Sequence, residues 1–570
     1  MKKHLLCLLL LPAGLTGVAQ TGLLFRQTSE VHHLMVNFEA DRGSLMRFYT
    51  IANSPERRER LKEFYTSYLK QLEELPFETF SQGGKVDYIL FKRNLEDALY
   101  QLSVEEKEYN QIRKYVAMAD PLYELEKKRR RGYTLNSEEV AQTLNQVRRQ
   151  MEEAMQQLSR QPSLPPEIIN RAVETVGGLK NALRSVYGFY NQYDPLFTWW
   201  VQKPCQQLDT LLGAYAQALK KKTDMARLPK DDGSGIIGQP IGRDEIIRQL
   251  RLEFIPYTPE ELIDIAQKEF AWCDREMLKA SAELGFGNDW KKALEKVKQS
   301  FVPPGRQPEA MLDLYNQSVD FLKKNDLITI PPLAEETWRM RMMTPEQQLV
   351  SPFFLGGELF QISYPTQSMD HEDKLMSMRG NNPHFSRATV HHELIAGHHL
   401  QQFMNNRNKA YRNFRTPFWT EGWALYWEMI LWDMNFPRNA EDRIGMLFWR
   451  MHRCARIIFS LNYHLGVWTP RQCIDFLVDR VGHERANAEG EVRRSFTGRY
   501  GPLYQLAYMM GALQFYALKK ELVDSGKMTY KQFHDAVMAE NSMPVELLRA
   551  LLTNAPLSRN FSTQWRFYGR

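Results

Sequence analysis

Four histidines and a glutamate crowd into one nine-residue stretch, His391-His392-Glu393-Leu394-Ile395-Ala396-Gly397-His398-His399. The chain holds only 13 His in 570 residues, so chance clustering explains the run poorly. A purely structural role is also a poor explanation, because each buried imidazole needs partners for two ring nitrogens. The chemistry these types share is metal ligation beside a general base. In the H-E-x-x-H arrangement, two His one helical turn apart bind zinc and the Glu takes a proton from water. His392-Glu393 opens that pattern, but the residue one turn on is Ala396. On a regular helix, His398 lies about 9 Å along the axis from His392 and about 240° around it, and His399 about 10.5 Å along it. Neither can share an ion with His392 at a metal–nitrogen distance of about 2 Å unless the helix is distorted. Gly397 makes a distortion between Glu393 and His398 reasonable, as a π-bulge with two residues looped out. His398 then becomes the second ligand, with His399 its rival. His391 and His399 are otherwise expected beside the site rather than in it.

A third ligand is expected from a second helix. Phe418-Trp419-Thr420-Glu421-Gly422-Trp423-Ala424-Leu425-Tyr426-Trp427-Glu428 follows closely enough for one helix to end and another to cross behind it. Thr420 is expected to cap this helix, with Glu421 near its start. Glu428 lies two turns further on the same face. One carboxylate can then ligate zinc while the other orients a ligand His from behind.

The elements that must position these residues are helical. Charged segments with apolar residues at three- and four-residue spacing, such as Leu61, Phe64, Leu69 and Leu72, run through the first third of the chain. Thr258-Pro259-Glu260-Glu261, Thr344-Pro345-Glu346-Gln347 and Thr469-Pro470-Arg471-Gln472 each place Thr at a cap, Pro at the first helical position and Glu or Gln at the third. The Asp, Gly and Pro cluster between Lys230 and Pro240 breaks the helical pattern. Read as a boundary, it divides an N-terminal helical region, 20–230, from a region carrying the chemistry, 231–570; a surface loop inside one domain is the equal alternative. The segment from Phe353 to Pro365 alternates apolar and polar residues after two glycines. It predicts a short strand or hairpin beside the site, whose edge could pair with an extended peptide. The basic run Lys127 to Arg131, just before Gly132, reads as a solvated helix end.

Composition narrows the function. The net charge is +6, and +4 once Lys2 and Lys3 are set aside, which gives no concentrated basic face for nucleic acid. Residues 1–19 have a short basic start, an apolar core containing Cys7, and a small-residue exit, so they read as a signal peptide with Gln20 as the mature start. The apolar core is far below the roughly 20 residues needed to span a bilayer, and no later segment is long and apolar enough. The protein is therefore expected outside the cytoplasm, with no stable membrane insertion. Cys205, Cys273, Cys454 and Cys473 form no CxxC pair and are expected as buried free thiols. Nucleophile-elbow and Walker A motifs are lacking.

His392-Glu393-x-x-Ala396-Gly397-His398-His399-Leu400-Gln401, taken with Glu421-Gly422-Trp423-Ala424-Leu425-Tyr426, resembles the bacterial family called domain of unknown function 885. That family is similar to gluzincin-type metallopeptidases. The resemblance implies a mostly α, large helical zincin-like peptidase fold with a deep cleft and a small β-hairpin or short sheet near the active site. It also implies one Zn²⁺ per chain held by His392, His398 and Glu421, with Glu393 as general base and Tyr508 or His464 as the candidate oxyanion donor. The family has Pro where Ala396 stands, which leaves Gly397 to carry the distortion. Near the C-terminus Pro502 and Tyr508-Met509-Met510-Gly511 fit, while Leu503 and Tyr504 replace the family's Gly and Gln. The implied function is an exported zinc peptidase acting on peptide substrates. A zinc hydrolase of non-peptide amides and a non-catalytic binding protein on the same scaffold are the alternatives. Retention of both Glu393 and the ligand set speaks against the last. Oligomeric state is not determined by the sequence.

Overall fold

Helices start in this chain where short polar side chains meet proline. All three predicted Thr-Pro starts form reciprocal caps, Thr258 with Glu261, Thr469 with Gln472 and Thr344 with Gln347. The computed structural model describes residues 28–569 apart from Pro229, Leu349, Val350, Pro352 and Arg499. The signal peptide read at 1–19, with Cys7, lies outside the described residues. Among the described residues, helices account for almost all regular structure, and no helix is long and apolar enough to cross a membrane.

Two compact units divide the chain. One comprises His33–Pro76 and Leu90–Lys230. Its long helices Ser137–Ser159, Pro166–Tyr190 and Pro195–Lys221 bury apolar stripes at helical spacing. Val140, Leu144, Val147 and Met151 meet Leu179, Leu183, Leu208 and Leu212 in one core. On the helix Pro55–Glu73, Leu61, Phe64 and Leu72 are buried as expected, but Tyr68 takes the core position expected of Leu69. The basic run closes the helix Asp120–Arg130. Arg130 in it is tied to Glu126 and Glu56 at 2.5 and 3.2 Å.

The other unit holds Phe77–Ile89, Asp231–Arg570 and the described residues up to His32. Six helices matter for the site: α1 (Pro383–Glu393), α2 (His398–Asn405), α3 (Pro417–Asp433), α4 (Ala440–His464), α5 (Arg485–Phe496) and α6 (Tyr504–Lys519). Asn382 caps α1 through the backbone N–H groups of His384 and Phe385. Thr416, not Thr420, caps α3, which puts Glu421 in its second turn. Helix α3 is buried nearly all round, yet carries two buried carboxylates, Glu421 and Glu428. Charged groups so deep persist only when paired. Helices α3 and α6 touch where Gly422 faces Gly511. A Cβ on Gly511 would lie 2.1 Å from the Phe418 carbonyl, and one on Gly422 only 2.6 Å from Gly511 Cα. Two glycines are needed for that approach, and it sets Tyr504 and Tyr508 of α6 against Glu421.

The segment expected to form a strand does so. Strand β1 (Arg339–Met342) pairs in parallel with β2 (Leu359–Ile362), Arg339 opposite Leu359 and Met342 opposite Ile362. On the other side of β2, Leu355 and Gln361 exchange backbone hydrogen bonds of 3.1 and 2.8 Å. Strand β2 is therefore flanked on both sides and is not itself the open edge. The outer run, Leu355 to Gly357, passes the site, and the Gly357 N–H donates to the Glu393 carbonyl at 3.1 Å. The four cysteines read from the sequence are buried free thiols.

Candidate functional site

The expected bulge is a full break. Helix α1 ends at Glu393, residues Leu394–Gly397 leave helical geometry, and α2 begins at His398. The turn is held by Gly397 N–H donating to the His391 carbonyl at 2.9 Å and by the Trp423 indole donating to the Ala396 carbonyl at 2.9 Å. A Cβ at position 397 would sit 1.8 Å from the His392 carbonyl oxygen. Gly397 is required by this close approach rather than by a left-handed backbone. The break swings His398 back toward His392, so their ring centroids lie 4.8 Å apart at 89°.

Three ligand atoms converge there. Glu421 Oε2 lies 3.2 Å from His398 Nε2 and 3.5 Å from His392 Nε2. Bonds of about 2.1 Å at tetrahedral angles place ligand atoms about 3.4 Å apart, so these separations suit one four-coordinate ion. Glu421 Oε2 and His398 Nδ1 are buried without a hydrogen-bond partner. Glu393 offers a carboxylate oxygen to the same group, within 4.8 Å of a nitrogen on each imidazole. Two imidazoles and one carboxylate are a zinc donor set that leaves a fourth position open, and the residues fit such an ion.

The surrounding groups orient the ligands. Glu428 Oε1 accepts from His392 Nδ1 at 2.7 Å, and Arg453 donates to the same oxygen at 3.3 Å. The Tyr504 hydroxyl donates to Glu421 Oε1. Burial opposes charge on His392, but the Glu421 carboxylate beside it and its bond to Glu428 win and push its pKa up to about 9. Burial would likewise raise Glu421, yet His398 and His392 hold it well below the usual carboxylate range. Glu393 is pushed up, chiefly by burial, with the two imidazoles opposing. The pocket thus favours positive charge between the imidazoles and Glu421, where a cation would replace a proton.

The convergent residues face a cavity of about 240 Å³. Phe353, Phe354, Trp449, Tyr500, Tyr504 and Tyr508 supply aromatic walls, and Arg453, Arg456 and Arg494 supply charge. The Tyr508 ring stacks near His392, with centroids 6.2 Å apart. The structure therefore brings together His392, Glu393, His398, Glu421, Glu428 and Tyr508.

Three other predicted residues stand elsewhere. His399 Nε2 donates to the Ala334 carbonyl at 2.7 Å and lies outside the group formed by His392, Glu393 and His398, because the break at Gly397 turns its neighbour inward instead. His391 lies edge-on to Phe436 with neither nitrogen bonded, and burial pushes it down to about 3. His464 is buried against Tyr463 and Phe496 and does not line the cavity. It is eight residues beyond Arg456 on α4, about 12 Å along the axis. His384 is structural, bound through Nδ1 to Asp442 Oδ1 at 2.7 Å, and His371 is exposed. Tyr504 and the three arginines were missed. Tyr504 had one signal, since it stands where the resembled family has Gln. An Arg within a helix reads by default as a solvated face, and Arg453, Arg456 and Arg494 are all buried.

A family model described as "Bacterial protein of unknown function (DUF885)" matches residues 51–552. Comparison with curated proteins gave no match. Among solved structures, the chain is similar to "a putative lipoprotein of unknown function from Shewanella oneidensis", with TM-score 0.65 and 15% identity over 91% of this chain and 99% of that one. It is also similar to "the putative lipoprotein from Colwellia psychrerythraea", with TM-score 0.55 and 17% identity over 88% and 91% of the two chains. At these identities the likeness is one of fold.

Proposed function

We propose that this chain, which belongs to the bacterial DUF885 family, is an exported zinc-dependent peptidase of gluzincin type, with a zincin-like helical fold and its catalytic groups in a cleft. One observation carries the reading: a buried carboxylate oxygen, Glu421 Oε2, lies 3.2 and 3.5 Å from two imidazole nitrogens, with Glu393 alongside. Zinc bound by His392, His398 and Glu421 would polarise a substrate carbonyl and lower the pKa of a water toward about 7. The chain's own residues do the rest. Glu393 accepts the proton of the attacking water and delivers it to the leaving nitrogen. Glu428 holds His392 in the tautomer whose Nε2 lone pair faces the site. Tyr504 fixes the Glu421 carboxylate through Oε1, which leaves Oε2 for the ion. The Tyr508 hydroxyl, on the cavity wall beside His392, donates to the oxygen that gains charge as the carbonyl is attacked. The basic and apolar start of the sequence and the names of the two similar structures support export.

Hydrolysis of a mixed peptide library, read by mass spectrometry, tests the proposal. The wild-type protein is expected to cleave members of the library, and Glu393→Gln is expected to keep its zinc and lose cleavage. Cleavage that survives Glu393→Gln would overturn the assigned base.

A further inference from the structure

We infer that Arg453, Arg456 and Arg494 form a binding site for the free carboxylate of the substrate, so that the bond cleaved lies close to a C-terminus. The inference rests on the proposed hydrolase and deepens it. Arg453 and Arg456 are one turn apart on α4, and Arg494 reaches the same cavity from α5. Two carboxylates answer these three guanidinium groups. Arg456 Nε donates to Glu491 Oε1 at 2.6 Å, and Arg494 Nη2 lies 2.8 Å from Glu491 Oε2. Arg453 lies over the Trp449 and Tyr508 rings, and its carboxylate contact is a 3.3 Å one to Glu428, whose same oxygen is already engaged by His392. Against these two carboxylates the three guanidinium groups carry one extra positive charge, while Glu393 and Glu421 on the same cavity stand at the imidazoles.

That excess is buried. Arg456 is 1% exposed and Arg494 7%, and Arg456 Nη1, Arg494 Nε and Arg453 Nε have no hydrogen-bond partner. Guanidinium groups gathered on one cavity wall with fewer direct carboxylate contacts than charges are matched by an anion with paired oxygens. A carboxylate supplies both the charge and the geometry. Tyr508 sets the spacing. Its ring lies 6.2 Å from the His392 ring and 4.3 Å from the Arg456 guanidinium carbon. The cavity of about 240 Å³ is below the roughly 300–1,000 Å³ of drug-sized sites, so the portion of substrate entering it is one or two residues. Phe353, Trp449 and Tyr500 on its walls suit an apolar side chain there. The reaction balances as an acylated amino acid or peptide plus water, giving the shortened carboxylate and an amine that has gained the water's proton and still carries its own carboxylate.

Calorimetric binding to the full-length Glu393→Gln protein tests the assignment without turnover. The probes are N-acetyl-alanyl-phenylalanine and its C-terminal amide, with N-acetyl-phenylalanine and its amide as the shorter pair. In at least one pair the acid is expected to bind tenfold or more tightly than the amide. Adding Arg494→Gln is expected to shrink that ratio toward one, with Arg494→Lys between, because the lysine keeps charge but loses the fork. Equal binding of acid and amide in both pairs, or binding of none of the four, overturns the inference. If the arginine variants do not fold, the acid-against-amide comparison alone decides. Zinc content measured on the same samples separates the two claims. A protein without zinc sinks the hydrolase, whereas a zinc-loaded protein indifferent to the carboxylate sinks only this assignment.

Discussion

Glu428 Oε1 lies 2.7 Å from His392 Nδ1, on the side of the ring away from Glu421. Two carboxylates on one helix thus grip one imidazole from both nitrogens, the first as a partner for an ion and the second as its support. Supports of this kind change metal affinity about 10–100-fold. Glu428→Ala is expected to lower zinc affinity by that factor in a chelator competition, with Glu428→Gln affected less. Unchanged affinity in Glu428→Ala would show that the support is not needed.

Tyr508 and His464 were expected in the same role, and the structure separates them. Tyr508→Phe is expected to lower kcat about 10²–10³-fold with zinc content unchanged, the usual cost of one lost oxyanion donor. His464→Ala is expected to leave kcat and KM alone and cost about 0.5–3 kcal/mol of stability, because its ring packs on Tyr463 and Phe496. Steady-state kinetics beside thermal melting separates the two, and a kinetic loss in His464→Ala would restore that residue to the site.

Gly397→Ala is expected to disrupt the break between α1 and α2. The added methyl would sit 1.8 Å from the His392 carbonyl oxygen, and backbone rather than a flexible side chain would have to yield. Overpacking of this sort typically costs about 1–3 kcal/mol, and more where backbone is trapped. A lower denaturation midpoint together with weakened zinc binding is the expected result. Normal zinc binding in a stable Gly397→Ala protein would mean that the turn can be rebuilt without glycine.

Glu491 gives a pH dependence away from the candidate ligands. Burial raises its pKa, but Arg456 and Arg494 outweigh burial and hold it at about 2, against 4.5 for a free glutamate. Gln505 and His452 stand beside it at 2.9 and 3.7 Å, and His483 also helps to hold its pKa down. Because the folded pKa is the lower one, the stabilisation is full above about pH 4.5 and is lost as pH falls toward 2. Its upper bound is about 3 kcal/mol. Glu491→Gln is expected to cost about 3–5 kcal/mol at pH 7, since it strands two buried guanidinium groups. The gap from wild type should narrow between pH 4.5 and 2 in urea unfolding. A gap that stays constant across that range would refute the linkage.

Much of this arrangement was legible in residue types and spacing. The Thr-Pro-x-Glu/Gln starts, the crowding of His and Glu after Val390, and Glu421 with Glu428 two turns on all reflect local rules. The form of the distortion was not, because a glycine between two histidines is consistent with either a bulge or a break. Tertiary contacts that decide it, such as the Trp423 indole on the Ala396 carbonyl, are 27 residues away in sequence. His399 and His464 were ambiguous for the same reason, since an imidazole reads alike whether it faces a cavity or a carbonyl. The arginine cluster was illegible because Arg453, Arg456 and Arg494 come from two helices and meet only through Glu491 and the cavity.

The most direct measurement is the metal content of the full-length protein and its ligand variants by mass spectrometry. About one zinc per chain is expected for wild type and for Glu393→Gln, with loss in His392→Ala, His398→Ala and Glu421→Ala and no loss in His399→Ala. A wild-type protein that takes up no zinc at neutral pH, or one whose zinc survives removal of Glu421, would contradict the three-ligand centre.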